Sequence, residues 1–134
     1  MKWINFLHIY QPPTQTAETL KLVTEESYLK IIELVETYPN FKITLNISGS
    51  LLELWVDHGY KSLIERYRKQ IEAGKIELVG SAMYHPILPL LEEDEVIRQI
   101  ELHNDICKKL LGLSTNQLVF SCQKWLIAKR LALS

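Results

Sequence analysis

Apolar and polar residues along this chain form three strand patterns, and a helix pattern follows each of them. The first strand pattern is an apolar run at 3–9, which is typical of a strand buried on both faces of a sheet. The second alternates apolar and polar residues over 41–47, and the third is a short apolar run at 76–79. The order strand, helix, strand, helix, strand, helix predicts an α/β fold with a parallel sheet.

The first helix is predicted between a capping threonine and a proline. Thr24 is a good helix N-cap, and two glutamates follow it in the expected first turn. Apolar residues then recur at helical spacing up to Pro39. The residues before this helix, at 14–23, predict an irregular loop that is long enough to cover a site.

The second and third helices are predicted between polar caps and glycines. We expect the second helix to begin after Ser50, to break at 58–59 and to end at Gly74. The third is expected to begin at 92–94 and to end at Gly112. One face of the third helix is predicted to carry Val96, Ile97, Ile100, His103, Cys107 and Leu110.

Composition narrows the class of protein. With 134 residues and 47% hydrophobic content, the chain can form one small domain but not a complete β/α barrel. The 15 basic and 16 acidic side chains give a formal net charge of -1, which argues against nucleic-acid and membrane partners. We find no membrane-length apolar run and no signal-peptide pattern. Cys107 and Cys122 fit no metal-ligand spacing, so we expect free thiols and a cytoplasmic protein.

Polar side chains cluster where the predicted strands end. Ligands of parallel α/β folds bind at the carboxyl ends of the strands. We expect those ends to carry His8–Gln11, the serines at 48–50, and Glu77 with the loop through His85. The alternative is that the residues at 8–11 are ordinary strand residues and that Glu77 merely faces solvent.

Three segments resemble the first characteristic regions of glycoside hydrolase family 57, a family of α-glucan-active amylases, branching enzymes and glucanotransferases. These segments are HIYQP from residue 8, NISGSLLE from residue 46, and GKIELVGSAMYHPILPLL from residue 74. The resemblance implies that residues 1–118 are the N-terminal three βα units of an incomplete (β/α)7 barrel of the glycoside hydrolase/deacetylase type. It implies an α-glucan or oligosaccharide as substrate, and no cofactor or metal.

The same resemblance implies which side chains bind the sugar. His8 and Gln11 would help to bind it, and Glu77 would contact it at the reacting subsite. Tyr10 stands where the family pattern His-x-His-Gln-Pro has its second histidine, which puts the exact substrate preference in doubt. His85 either lines the pocket or braces the proline-rich turn that follows it.

The resemblance also implies that the catalytic carboxyl groups lie further along the gene. Retaining glycosidases use two carboxyl groups, and the family's nucleophilic Glu is expected soon after the third helix, in a segment resembling GFWLPECAY. No such segment occurs in 114–134. One back-translation of 119–128 reads FFLPEMAYS in another frame, so we hypothesise that a frameshift makes 119–134 an aberrant tail. The chain alone is then expected to be inactive and poorly soluble.

Three alternatives remain open. Residues 118–134 could instead form a real strand followed by a basic C-terminal helix. The chain could be a fragment of a polysaccharide deacetylase-like barrel, although no Asp-Asp or His-x-x-x-His metal pair occurs at the predicted strand ends. It could also be a small non-enzymatic α/β binding module that is complete at 134 residues, which predicts cooperative unfolding and a monodisperse species.

Overall fold

The computed structural model describes residues 3–113 and the backbone of Val119 and Phe120. Its strands form one parallel sheet in chain order, and the strands are β1 (Phe6–Ile9), β2 (Ile43–Ile47), β3 (Ile76–Gly80) and β4 (Val119–Phe120). In the register, His8 lies beside Asn46, Asn46 beside Val79, and Val79 beside Val119. The predicted α/β class and parallel sheet are confirmed.

Helices connect the first three strands and follow the third. They are α1 (Ala17–Val23), a π-helical turn (Thr24–Tyr28), α2 (Leu29–Thr37), α3 (Gly49–Asp57), α4 (Lys61–Glu72), a 3-10 turn (Leu88–Leu90) and α5 (Glu93–Leu111). Within the range that the structure describes, no helix is both long and apolar enough to cross a membrane.

The first helical segment begins earlier than the sequence predicts. Thr16 caps α1 by accepting a hydrogen bond from the Thr19 N–H, and Leu20 is completely buried. Helical structure then continues through the π-helical turn into α2, with Thr24 fully buried inside it. The predicted loop at 14–23 and the predicted cap at Thr24 are therefore wrong. Thr24 is instead a core residue whose hydroxyl accepts a hydrogen bond from Trp55 Nε1 at 3.2 Å.

The second helical region matches its predicted bounds except at its start. Ser48, not Ser50, is the N-cap, since its hydroxyl accepts a hydrogen bond from the Leu51 N–H at 3.3 Å. Ser50 lies in the first turn of α3. The predicted interruption at 58–59 separates α3 from α4, and Gly74 follows α4 with a φ of 72°, which a glycine adopts without strain.

Helix α5 has the predicted ends but a different buried face. It ends at Gly112, which takes the left-handed conformation of a C-terminal glycine. Its buried residues are Gln99, His103, Cys107 and Leu111. Ile97, which the sequence placed on the buried face, is exposed, because the face that packs on α3 and α4 is rotated toward Gln99.

The two faces of the sheet differ in the residues that they carry and in how these residues are packed. The face that carries Leu45, Ile47 and Leu78 packs against the helices and joins a core that includes the fully buried Trp55. The opposite face carries the alternate residues, and these are Phe6, His8, Thr44, Asn46, Glu77 and Val79. Phe6 and His8 are exposed, so the first strand is not buried on both faces as predicted. β1 is an edge strand of the described sheet, which explains the difference.

Two predictions fall on residues outside the described part of the chain. The thiol of Cys107 is free and buried, as expected, whereas Cys122 lies outside the described residues. The tail at 119–134 is likewise undescribed apart from the two-residue backbone of β4.

Candidate functional site

Three aromatic rings meet at the carboxyl edge of the sheet. His8 lies in β1, Tyr10 follows that strand, and His85 lies in the loop after β3. The ring centroid of His85 is 4.8 Å from that of His8 and 5.4 Å from that of Tyr10, and the two first-strand rings are 6.4 Å apart. We call these three residues the ring cluster. The predicted proximity of two strand ends is therefore confirmed.

The backbone and the ionisation of His85 are both unusual. Its φ of 52° lies in the left-handed region, which non-glycine residues adopt rarely and usually at constrained or functional positions. Burial lowers the pKa of its imidazole, the charge of His8 lowers it further, and a backbone hydrogen bond partly offsets both effects. The ring is therefore neutral at neutral pH and can both donate and accept one hydrogen bond.

The loop that carries His85 is fixed to two helices. The Ser50 N–H donates to the Met83 carbonyl at 3.0 Å, which joins the loop to the start of α3. The Tyr84 N–H donates to the side-chain oxygen of Gln99 at 3.1 Å, which joins the loop to α5. At Gly49 an added Cβ would overlap the sulfur of Met83 and approach its carbonyl oxygen to 3.2 Å. These contacts hold the third ring of the cluster in place.

Gln11 is hydrogen-bonded within the protein. Its side-chain N–H donates to the hydroxyl of Tyr28 at 2.9 Å, and its side-chain oxygen accepts from Gln15 at 2.7 Å. Its backbone carbonyl accepts from the hydroxyl of Ser50 at 2.7 Å. These hydrogen bonds fix the backbone that follows β1, and they therefore help to hold the ring cluster in place. Its predicted contact with sugar stays a prediction.

Glu77 does not lie at the carboxyl edge. It is the second residue of β3 and pairs in register with Thr44, whose hydroxyl donates to its carboxylate at 3.2 Å. It borders a cavity of about 290 Å³ at the amino ends of the strands, which Trp3 and Lys42 also line. The expected position beside His85 is thus wrong, because β3 continues for three residues beyond Glu77. Its carboxylate shares the sheet face of His8, and its binding role stays a prediction.

Asn46 is a site residue that the sequence did not single out. It is the penultimate residue of β2, the strand between β1 and β3, and it is only 2% exposed. Its side-chain oxygen is 2.7 Å from Nδ1 of His8, and its side-chain N–H donates to the Gly80 carbonyl at 3.3 Å. Asn46 belongs to the polar set of the alternating strand, one residue before the strand ends, and this position was the available signal.

Two further features bear on what the site can do. In the described part of the chain, no group of three His, Cys, Asp or Glu side chains could hold a metal ion. A cavity of about 590 Å³ lies on the other side of the sheet, against α3, α4 and α5, and none of the predicted site residues lines it. The chemistry at the carboxyl edge is therefore that of imidazole, phenol and amide groups.

A parallel sheet with connecting helices and a polar cluster at its carboxyl edge places the chain among α/β proteins that bind ligands at strand ends. Within that class, the family model of glycosyl hydrolase family 57 matches residues 3–119, and the chain belongs to this family. The resemblance read from the three sequence segments is confirmed.

Individual relatives agree with the family. The α-amylase of Pyrococcus horikoshii is 33% identical over 113 residues, which cover 82% of this chain and 18% of the relative. The crystal structure of the 4-α-glucanotransferase from Thermococcus litoralis superposes with a TM-score of 0.74 at 28% identity, covering 80% of this chain and 17% of that one. The branching enzyme of P. horikoshii shares the fold, with a TM-score of 0.72 at 17% identity over 84% of this chain and 33% of that one. The chain thus spans less than a fifth of the length of its first two relatives.

Proposed function

We propose that the chain is the N-terminal part of the catalytic barrel of a retaining α-glucan hydrolase or glucanotransferase, and that the ring cluster, Gln11 and Glu77 contribute to binding the glucan. The observation that carries the proposal is the contact of His85 with His8 and Tyr10 across two strand ends. Family membership and relatives named α-amylase and 4-α-glucanotransferase support the reaction class.

The chemistry of the ring cluster suits a neutral sugar. Imidazole, phenol and amide groups form directional hydrogen bonds with hydroxyl groups, and aromatic faces pack against the apolar faces of sugar rings. Burial lowers the pKa of His85, so the cluster gains no added positive charge there that would favour an anionic ligand. A deacetylase-like function is less well supported, since its metal has no ligand group among the described residues.

Titration with maltoheptaose, an α-1,4-linked oligosaccharide, tests the binding proposal. We expect weak, saturable shifts of the ring resonances of His8 and His85 in NMR spectra. His8→Ala and His85→Ala should each weaken binding about three- to tenfold, the value of one or two hydrogen bonds. His58→Ala is the matched control, because His58 is exposed at the end of α3 and outside the ring cluster. Saturable binding that is insensitive to both site variants would refute the proposal.

We further propose that the nucleophile segment is encoded near residue 119 in another reading frame. The alternative reading FFLPEMAYS begins where β4 begins, and β4 pairs in parallel with β3 through Val79 and Val119. A Pro-Glu pair a few residues into a fourth strand would reach the same carboxyl edge as the ring cluster. Sequencing the locus tests this proposal, and codons 119–128 that cannot encode Pro-Glu in either other frame would refute it.

A further inference from the structure

We propose that Asn46 is a positioning residue that holds His8 in the tautomer with its proton on Nδ1, so that Nε2 is left to accept a hydrogen bond from a sugar hydroxyl. The part of this inference that concerns the sugar rests on the function proposed above. The part that concerns the tautomer rests on the hydrogen bonds of Asn46 alone.

The bond to Gly80 fixes the orientation of the Asn46 amide. The Gly80 carbonyl can only accept a hydrogen bond, so the side-chain NH₂ of Asn46 must face it, and the two atoms are 3.3 Å apart. The side-chain oxygen then faces the other way, toward Nδ1 of His8 at 2.7 Å. An amide oxygen can only accept, so Nδ1 carries the proton. In the neutral ring, Nε2 is consequently an unprotonated acceptor.

Asn46 is well placed to enforce this choice. It is 2% exposed in the strand between β1 and β3, and its bonds reach His8 and Gly80, which lie 38 and 34 residues away in the chain. Reversing the amide would set two acceptors, the side-chain oxygen of Asn46 and the Gly80 carbonyl, against each other. The Asn46 amide therefore joins His8 to Gly80, and the Gly80 carbonyl in β3 sets its orientation.

The consequence for the site is a preference among ligands. His8 is exposed and belongs to the ring cluster, which is the proposed sugar site. An unprotonated Nε2 accepts from a hydroxyl group, which sugars offer in adjacent pairs. Deprotonated phosphate and carboxylate oxygens can only accept hydrogen bonds, so they gain nothing from an acceptor at Nε2. The tautomer thus favours neutral glucan over phosphorylated or acidic sugars.

The tautomer is measured directly on the full chain by ¹⁵N–¹H correlation spectra of the histidine rings, at a pH of about 8 so that neutral rings predominate. We expect His8 to be protonated on Nδ1, and the exposed His58 to show the mixture of a free imidazole. Asn46→Ala should return His8 to that mixture. A wild-type His8 protonated on Nε2 would overturn the inference. This outcome is measured on the wild-type chain, so it does not depend on whether the variant folds.

A second pair of variants tests the role of Nε2. In His8→Asn the shorter amide can replace Nδ1 and keep the bond to Asn46, but nothing replaces Nε2, so maltoheptaose affinity should fall about tenfold. In Asn46→Ala the affinity should fall by less, because Nε2 still accepts in part of the molecules. Inorganic phosphate should cause no saturable shift of His8, and competition by phosphate would overturn the proposed preference.

The outcomes separate this inference from the proposed function. A wild-type His8 protonated on Nδ1 in a chain that does not bind maltoheptaose would confirm the tautomer and refute the function. Binding of maltoheptaose by a chain whose His8 is protonated on Nε2 would support the function and overturn the inference.

Discussion

His103 is a buried histidine whose protonation opposes folding. Its ring is fully buried in α5, with Nε2 at 3.5 Å from the sulfur of Cys107, and its Nδ1 has no hydrogen-bond partner in the described structure. Burial lowers the pKa of His103 to about 4 and raises the pKa of the Cys107 thiol to about 12. Both groups are therefore neutral near pH 7, and a single hydrogen bond joins the thiol to the imidazole.

The free energy of unfolding should fall as the pH is lowered from the ordinary histidine value of 6.5 toward the folded value of about 4 for His103. In that window the unfolded chain binds a proton that the folded chain does not, so stability falls on acidification, by about 3 kcal/mol in all. Above this pH range His103 is neutral in both the folded and the unfolded chain, so its contribution to the pH dependence vanishes. Urea denaturation followed by circular dichroism across this pH range measures it.

His103→Leu is the test variant for this pH dependence, since it removes the titrating group while keeping an apolar side chain of similar size. In this variant the dependence of the unfolding free energy on pH should be smaller than in wild type by the contribution of about one proton, and the exposed His58→Leu is the control variant. His85, whose pKa is also lowered, contributes the same sign in all three chains and cancels from the comparison. A His103→Leu slope equal to that of wild type would contradict the assignment.

Gly49 marks where the helix and the site loop come closest. A Cβ at this position would overlap the sulfur of Met83, so Gly49→Ala should destabilise the fold by about 1–3 kcal/mol, the usual cost of overpacking. In a double-mutant cycle with Met83→Ala, the combined loss should be smaller than the sum of the two single losses. The same substitution should shift the ring resonances of His85, two residues from Met83. Additive losses would contradict the predicted contact.

The site residues show what a sequence does and does not reveal at this scale. His8, Tyr10 and His85 could be predicted to meet because parallel strands end at one edge of a sheet. The position of Glu77 relative to the carboxyl edge was wrongly predicted. That position depends on where β3 begins and on its register with β2, and neither follows from the apolar run alone. Asn46 was missed because a polar residue in an alternating strand is typical of a solvent-facing position, whereas this one is buried and hydrogen-bonded to His8 and Gly80.

At the scale of elements, the order of strands and helices follows from the apolar pattern, but the helix starts do not. Thr16 and Thr24 are both threonines followed by acidic residues, and both read as N-caps. Only tertiary structure separates them. Thr16 is exposed and caps α1, whereas Thr24 is buried because the indole N–H of Trp55 needs an acceptor in the core.

Substitutions at these two threonines test the revised helix start. Thr24→Val should cost about 1–3 kcal/mol of unfolding free energy, because it leaves the buried indole N–H of Trp55 without an acceptor. Thr24→Ser keeps the hydroxyl and should recover most of that loss. Thr16→Ala should cost about 0.5–2 kcal/mol as a lost cap. Were Thr24 the cap after all, Thr24→Asp would be tolerated; a buried carboxylate should instead destabilise the chain more than valine does.

At the scale of the whole molecule, helices cover one face of the described sheet, while the other face is exposed along β1, although Asn46 and Val79 on that face are buried. We call this second face the uncovered face. Trp3 and Ile4, at 78% and 79% exposed, precede the edge strand, whose first residue, Phe6, is also exposed. The α-amylase of Pyrococcus horikoshii is more than five times longer than the matched region, which is 18% of its length.

This uncovered face predicts the behaviour of the 134-residue chain in solution. Exposed apolar side chains beside an unpaired strand edge favour association between copies, so we expect concentration-dependent self-association and binding of the dye ANS. Sedimentation velocity measures the first and fluorescence the second. Phe6→Lys should raise the monomer fraction, because a charge on the edge strand opposes pairing between copies.

Leu22→Lys is the matched control for that experiment, since Leu22 is as exposed as Phe6 but lies on α1, on the covered side of the molecule. If association runs through the uncovered sheet face, the change on β1 shifts the monomer fraction and the change on α1 does not. Equal effects would indicate a general response to net charge rather than a specific face. A monodisperse, cooperatively unfolding wild-type chain that binds no dye would contradict the fragment proposal and would favour a complete α/β binding module, because such a module must satisfy its own strand edge.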